Sequence, residues 1–505
     1  MLYKQNSLNL ISNLLAFGVT FLINFFLTPI LITELGTDVY SFYPLVNNFI
    51  MYGNLFVVAL NSMAGRYVTI HVANGEISAV EKYLASIFWG NIVLVIIMVI
   101  PFTILIMNIE TFLNVPSGYE NEIKWLFFLT FLSFIFQIFS AFYSLSTFSN
   151  NRLDLNASKS IIGNLLKIIL ILVLFYYLKI SLVLIGFINL VSSLFILIAS
   201  IYFFVKIFRD FDISFKKIEK SIIWKLLSEG SWNALNHLNN IMLLGLNIFI
   251  VNLYFGSSES GIYALALTIP NFITSLLFII IGVFLPTLFK NFALNQKESL
   301  IFNLNLTNKI LVFFVSIPFI IMIFYGEVFY NLWVPSENTE KLYTLTILII
   351  ASNYITSNVN SLFNLNTVMN KLKFPTIIYM VHGIIYLACV ILFLELTDIG
   401  VYILPVINIF IIISRDLIFT PFYASTILKV KNKEFYKLYA RSFIFILLTA
   451  LIFSLINMYV YINTWYGFIA ISFLISIQNS VVFYFAVLNK NDRKIFKNFK
   501  RKIKK

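Results

Sequence analysis

Apolar runs of 20 or more residues follow one another along the whole chain, separated by short polar segments. Each run is long enough to cross a hydrocarbon core of roughly 30 Å at about 1.5 Å per helical residue. Hydropathy places about fourteen spans, centred near Ala16, Met51, Leu94, Leu132, Ile169, Leu190, Leu243, Leu277, Phe314, Asn353, Ile384, Ile407, Ala450 and Leu474. The first run, from Leu8 to Ile32, is too long for a signal-peptide core and lacks a small-residue cleavage site, so it reads as an uncleaved helix.

Polar positions inside these runs are spaced at helical steps. In the fourth span Thr130, Ser133, Gln137, Ser140, Ser144 and Thr147 recur at intervals of three and four, which keeps them on one face. The tenth carries Asn353, Thr356, Asn360, Asn364 and Thr367 in the same way. The first has Asn6, Asn9, Asn13, Thr20, Asn24 and Thr28, and the seventh has Asn233, Asn236, Asn240 and Asn247. Lipid tails form no hydrogen bonds, so such stripes face other helices or a water-filled cavity. Four full-length stripes on corresponding helices favour a lined cavity, suited to a large neutral polar cargo such as a sugar chain.

The helices correspond because the chain is written twice. VYSFYPLVNNFI from Val39 is echoed by IYALALTIPNFI from Ile262, IETFLNVPS from Ile109 by GEVFYNLWVPS from Gly326, and ISLVLIGFINL from Ile180 by IGVYILPVINI from Ile399. The pairs keep their order, which argues for duplication of a six-span unit. An even number of spans keeps both copies in one orientation, giving a parallel repeat. The expected fold is therefore an all-α integral membrane protein: an N-lobe at 1–210, a C-lobe at 211–428, and two further helices with a basic tail at 429–505.

Composition agrees with this reading. Hydrophobic residues make up 60% of the chain and charged residues 11%, against about 25% charged in a soluble domain, and mean hydropathy is +0.92. Lysine and arginine, retained on the cytoplasmic side, cluster on one set of connections: Arg66, Lys82, Arg152, Lys159, Lys206 to Lys225, Lys290, Lys297, Lys309, Lys371, Lys373, Lys429 to Arg441 and the tail from Lys490. The opposite side keeps Lys124, Lys179 and Lys341 among many acids. Both termini are expected to be cytoplasmic, and the net charge of +13 reads as topology and contact with anionic membrane lipids rather than nucleic acid. The lone cysteine, Cys389, excludes an internal disulfide and a thiol cluster. No cofactor is expected.

Charge within the spans is sparse. The candidates are Lys167 in the fifth, Arg415 and Asp416 in the twelfth, and Arg66 at the end of the second. The three cations suit an anionic headgroup such as a pyrophosphate, while Arg415 and Asp416 serve equally well as a structural pair. Lys167 is within snorkelling reach of the headgroups. His237 and His382 are either proton relays or hydrogen-bonded core histidines. The candidate pathway comprises Arg66, Lys167, Arg415, Asp416, Asn13, Asn24, Gln137, Asn236, His237, Asn240, Asn247, Asn360 and Asn364.

Over nearly its whole length the chain resembles the bacterial polysaccharide-transporter branch of the multidrug/oligosaccharidyl-lipid/polysaccharide exporter superfamily, the repeat-unit flippases. The likeness rests on NFFLTPILITELGTDVYSFYPLV from Asn24, LNSMAGRYVTIH from Leu60, GSWNALNHLNNIMLLGLNIFI from Gly230 and TIPNFITSLLFIIIGVFLPTL from Thr268. It implies movement of an undecaprenyl-pyrophosphate-linked oligosaccharide from the inner to the outer leaflet of the bacterial cell membrane by alternating access, with a polysaccharide polymerase as a partner. Arg66 of AGRYV matches an arginine common at that place in the family, and Arg415 falls in its twelfth-helix region; Lys167 matches no family motif. Two relatives compete. Cation-exporting drug antiporters use embedded carboxylates, of which Asp416 is the one deep candidate, already beside an arginine. Lipid II flippases carry several arginines in the first two helices, where this chain has Arg66. A membrane enzyme would need a sizeable outer domain, and the outer loops here run to only about four to sixteen residues with no paired carboxylates near a histidine.

Overall fold

A computed structural model describes residues 2–209, 211–369, 371–458, 460–489 and 492–493; the Asn6 side chain and nearly all of the basic tail from Lys490 lie outside this description. Among the described residues every regular element is helical. Twelve stretches of the described residues are long and apolar enough to cross a membrane, and the bent pair Thr339–Ser357 and Asn360–Val368, taken as one span, makes a thirteenth. One stretch, Lys220–Phe292, runs 73 residues, roughly 110 Å if straight and far more than one bilayer. It holds two of the expected centres, Leu243 and Leu277, and breaks at Gly256, whose φ of 85° is left-handed. All fourteen expected centres fall inside helical elements.

The chain forms two compact units, Met1–Ala264 and Leu265–Lys505. In the first, the helix Glu120–Tyr143 packs along Leu182–Ile207, and Leu2–Leu35 lies along Leu153–Tyr177. The segment Lys220–Asn240 packs against Phe42–Asn61. That contact is possible because a Cβ at Gly230 would run into the Ala59 carbonyl oxygen, so only glycine allows so close a crossing. In the second unit the long helix Lys297–Trp333 is the hub, touching Thr339–Ser357, Thr268–Ala293 and the last two helices, Lys433–Asn457 and Trp465–Ala486.

Two connections share one backbone stereochemistry. Between the second and third spans Gly75 has φ 72°, and between the eighth and ninth Asn295 has φ 54°. In the first turn the Gly75 N–H donates to Val72 O, Glu76 N–H to His71 O and Ile77 N–H to Gly75 O. In the second, 220 residues on, Asn295 donates to Phe292 O, Gln296 to Asn291 O and Lys297 to Asn295 O, the same three bonds. The first two bonds of each set form the six-to-one and five-to-two pairs that close a helix with a left-handed residue. Glycine and asparagine are the residues that take this conformation at least cost. The quoted tyrosines also repeat a role: buried Tyr40 bonds back to Thr28, and buried Tyr263 accepts from the Asn247 amide, 3.1 Å away.

Candidate functional site

The stripes divide into residues that face outward and residues already spent on packing. On Leu2–Leu35, Asn13 and Asn24 are exposed. Asn9 is buried and clasps the start of the fifth span, donating to the Asn151 side chain at 3.2 Å and accepting from the Asp154 N–H at 2.9 Å. On Glu120–Tyr143, Gln137 is exposed while Ser133 and Ser140 are buried. The lower part of this stripe closes on a lysine: Lys159 Nζ donates to Ser144 Oγ at 2.5 Å and to Ser200 Oγ at 2.7 Å, and Ser200 shares a 2.8 Å bond with Ser140. Lys159 is only 6% exposed, and among the described residues no carboxylate pairs with it.

That lysine was expected in a loop. It stands instead six residues inside the helix Leu153–Tyr177, where Ser144 at the end of Glu120–Tyr143 and Ser200 on Leu182–Ile207 supply its hydroxyl partners. The depth argument that singled out Lys167 would have found it, had the helix start been placed at Leu153. Lys167 itself is half-buried and forms no ion pair among the described residues.

The seventh-span stripe is interrupted. A π-helical turn, Ile241–Gly245, follows Asn240, and its extra residue rotates what comes after by about 100° relative to an α-helix. So Asn240 is exposed, whereas Asn247 is buried, its amide donating to Leu243 O and Tyr263 Oη. Asn236 is half-buried. His237 Nε2 lies 3.3 Å from the Met51 carbonyl oxygen, which makes it a tie to the second span.

Arg66 lies on Ala64–Ala73, past a break in the second span, and is exposed. Its described contact is the neighbouring Tyr67 ring, 6.0 Å from the guanidinium carbon, and no described carboxylate pairs with it.

The second unit treats its cation differently. Arg415 and Asp416 sit in a second π-helical segment, Ile413–Phe419. Arg415 Nε and Nη2 donate to the two Asp416 oxygens at 2.6 and 3.1 Å, and the Thr356 hydroxyl donates to Asp416 at 2.7 Å. The guanidinium lies near the rings of Phe363 and Tyr379, 5.6 and 5.8 Å from their centroids, and Asp416 is 0% exposed. The pair is thus neutralised, desolvated and tied to the tenth span. The tenth-span stripe is not one continuous line, because a 46° bend separates Asn353 and Thr356 from Asn360, Asn364 and Thr367. Asn360 and Asn364 are half-buried and linked by a bond from the Asn364 amide to Asn360 O at 3.3 Å. His382 Nδ1 meets Ile378 O and Nε2 meets Ser414 Oγ, at 2.8 and 3.2 Å.

A further buried pair was not anticipated. Lys309, expected in a cytoplasmic segment, is buried and bonds Asp492 at 2.8 Å just beyond the last helix. With the Asn479 amide donating to Ser316 Oγ at 2.8 Å, it docks the final helix on the hub helix. The sequence signal was the lone acid, Asp492, in an otherwise basic tail.

A family described as "Polysaccharide biosynthesis protein" matches residues 7–292, more than half of the chain. The chain belongs to that family. The membrane protein EpsK of Bacillus subtilis (strain 168), described as uncharacterized, is 23% identical over 98% of each chain. Among solved structures, an inward-facing multidrug resistance MATE transporter of the MOP superfamily is similar with a TM-score of 0.68 at 12% identity, over 81% of this chain and 95% of that one. The lipid II flippase MurJ in an inward closed conformation is similar with a TM-score of 0.63 at 16% identity, over 94% and 98%. At such identities the likeness establishes a shared fold. The chain is a multi-pass membrane protein of the polysaccharide biosynthesis family.

Proposed function

We propose that the protein is a flippase that carries an undecaprenyl-pyrophosphate-linked oligosaccharide from the inner to the outer leaflet of a bacterial cytoplasmic membrane by alternating access, with both termini on the cytoplasmic side. The observation that carries this reading is the character of what the first unit leaves accessible: neutral amides at Asn13, Asn24, Gln137 and Asn240, and the exposed guanidinium of Arg66, with no described carboxylate upon it. Amides and hydroxyls match the hydroxyls of a glycan, and a guanidinium fork matches a pyrophosphate. Family membership supplies the biosynthetic context. A cationic cargo would call for an available carboxylate, and Asp416 is fully buried and doubly bonded to Arg415.

The test is deletion of the gene followed by leaflet-specific detection of the lipid-linked intermediate. The intermediate is expected to accumulate on the inner leaflet while its synthesis continues. Unchanged surface polysaccharide in the deletion strain, or resistance to cationic dyes on overexpression, would overturn the reading.

A further inference from the structure

One end of the first unit holds a dense polar joint that none of the transport residues explains. The second span continues past its break as Ala64–Ala73, the third begins at Ile77, and the seventh begins at Lys220. Where these meet, the Tyr67 hydroxyl donates to the Glu229 carboxylate, 2.6 Å from both oxygens. Tyr67 stacks on Tyr83 with centroids 5.2 Å apart, and Lys225 Nζ lies 4.3 Å over the Tyr67 ring and 3.4 Å from Tyr83 Oη. Lys82 pairs with Glu219 at 2.7 Å, and Lys217 with Glu81 at 2.5 Å. Lys217 also reaches Asp212 at 3.2 Å. The Trp89 indole donates to Ile213 O at 3.2 Å, and the Glu219 N–H donates to Ser86 Oγ at 3.0 Å.

A cleft of about 740 Å³ opens into this joint, lined among others by His71, Glu76, Lys82, Tyr83, Glu219 and Lys225. Its charges are matched internally: His71 lies on Glu76 at 2.5 Å, Lys82 on Glu219, and Lys225 on the tyrosines. The cleft is a seam whose polar side chains lie mostly on one another. Beneath it Ile222 and Leu226 enter an apolar cluster with Val80, Leu84 and Leu60. Exposed ion pairs and phenol–carboxylate bonds exchange readily for water with little net free energy. A seam built this way fixes a position without making it permanent.

We propose that this seam is a latch that holds the start of the seventh helix against the second and third helices in one state of the transport cycle and parts in the other. The proposal rests on the flippase reading for its place in a cycle, though the latch itself stands on the geometry alone. Tyr67–Glu229 is its central bolt, and Lys82–Glu219 and Glu81–Lys217 are its flanking ties.

The test uses the full chain in membrane vesicles with Cys389→Ala and a reporter cysteine at Ile222→Cys, a buried position on the seam. The rate of labelling by a hydrophilic maleimide reports opening. Glu229→Gln and Lys82→Glu are each expected to raise that rate about threefold to fivefold. The charge swap Lys82→Glu with Glu219→Lys should bring it back toward the parent rate. Equal rates in the parent and both single variants, or a swap that labels faster than Lys82→Glu alone, would overturn the latch. Flux of the lipid-linked oligosaccharide is measured in the same vesicles. No flux in the parent with labelling as expected sinks the flippase reading and leaves the latch; flux with indifferent labelling sinks the latch alone.

Discussion

The two units solve one problem, a cation inside a membrane protein, in opposite ways. The first holds Lys159 with the hydroxyls of Ser144 and Ser200 and no described carboxylate. The second neutralises Arg415 with Asp416 and Lys309 with Asp492. Desolvating a charge is costly in either case, and a buried pair recovers the cost only while both partners remain. A lysine among hydroxyls leaves nothing charged behind when it is removed, and its partners already have other bonds: Ser144 donates to Ser140 O and Ser200 to Ile196 O. The second unit is thus brittle at its charges where the first is tolerant.

The largest expected effect follows from breaking one side of a pair. Asp416→Ala strands the Arg415 guanidinium in an apolar surround and should cost about 3–5 kcal/mol, read as a fall in melting temperature in detergent and in protein recovered from the membrane. Replacing both partners, Arg415→Met with Asp416→Leu, should lose far less than Asp416→Ala alone. If the double variant is the less stable of the two, the argument from desolvation fails.

The next effect is functional. Arg66→Ala should reduce flux about tenfold, equivalent to about 1.4 kcal/mol, with the melting temperature unchanged, because this guanidinium is exposed and holds no described carboxylate. Arg415→Ala should instead lower stability first and flux only in proportion to the protein lost. Equal flux per folded molecule in wild type and Arg66→Ala would remove Arg66 from the pathway.

The smallest effect sharpens the comparison from the tolerant side. Lys159→Met should change stability by less than about 1 kcal/mol in either direction, measured by the same thermal assay. A loss as large as that of Asp416→Ala would show that hydroxyls alone hold a buried ammonium as firmly as a carboxylate does.

Much of this architecture was legible in the apolar pattern. Span centres follow from hydropathy because lipid requires every crossing segment to be helical and apolar. The period put Gln137 on one face with Ser133 and Ser140, and Asn13 with Asn9, and could not say which members of each stripe are exposed. Legibility failed where the helix departs from 3.6 residues per turn. The π-helical turn after Asn240 and the bend at Asn358–Val359 leave no composition signal, so stripes drawn straight through them joined Asn247 to Asn240 and Asn364 to Asn353. The lysines show a second cause. Side-chain burial depends on partners far away in sequence, and Ser200 is 41 residues from Lys159, so a boundary error of a few residues was enough to turn a buried lysine into a loop charge.

The turn at Gly75 and its counterpart at Asn295 have one further consequence. Their side chains differ and, of the five residues before each, only the alanines Ala73 and Ala293 agree, yet both positions hold a left-handed backbone and the same three hydrogen bonds. A dihedral sign tolerates a change of residue, because many side chains can fill a loop but few backbones can make the chain reverse at that point.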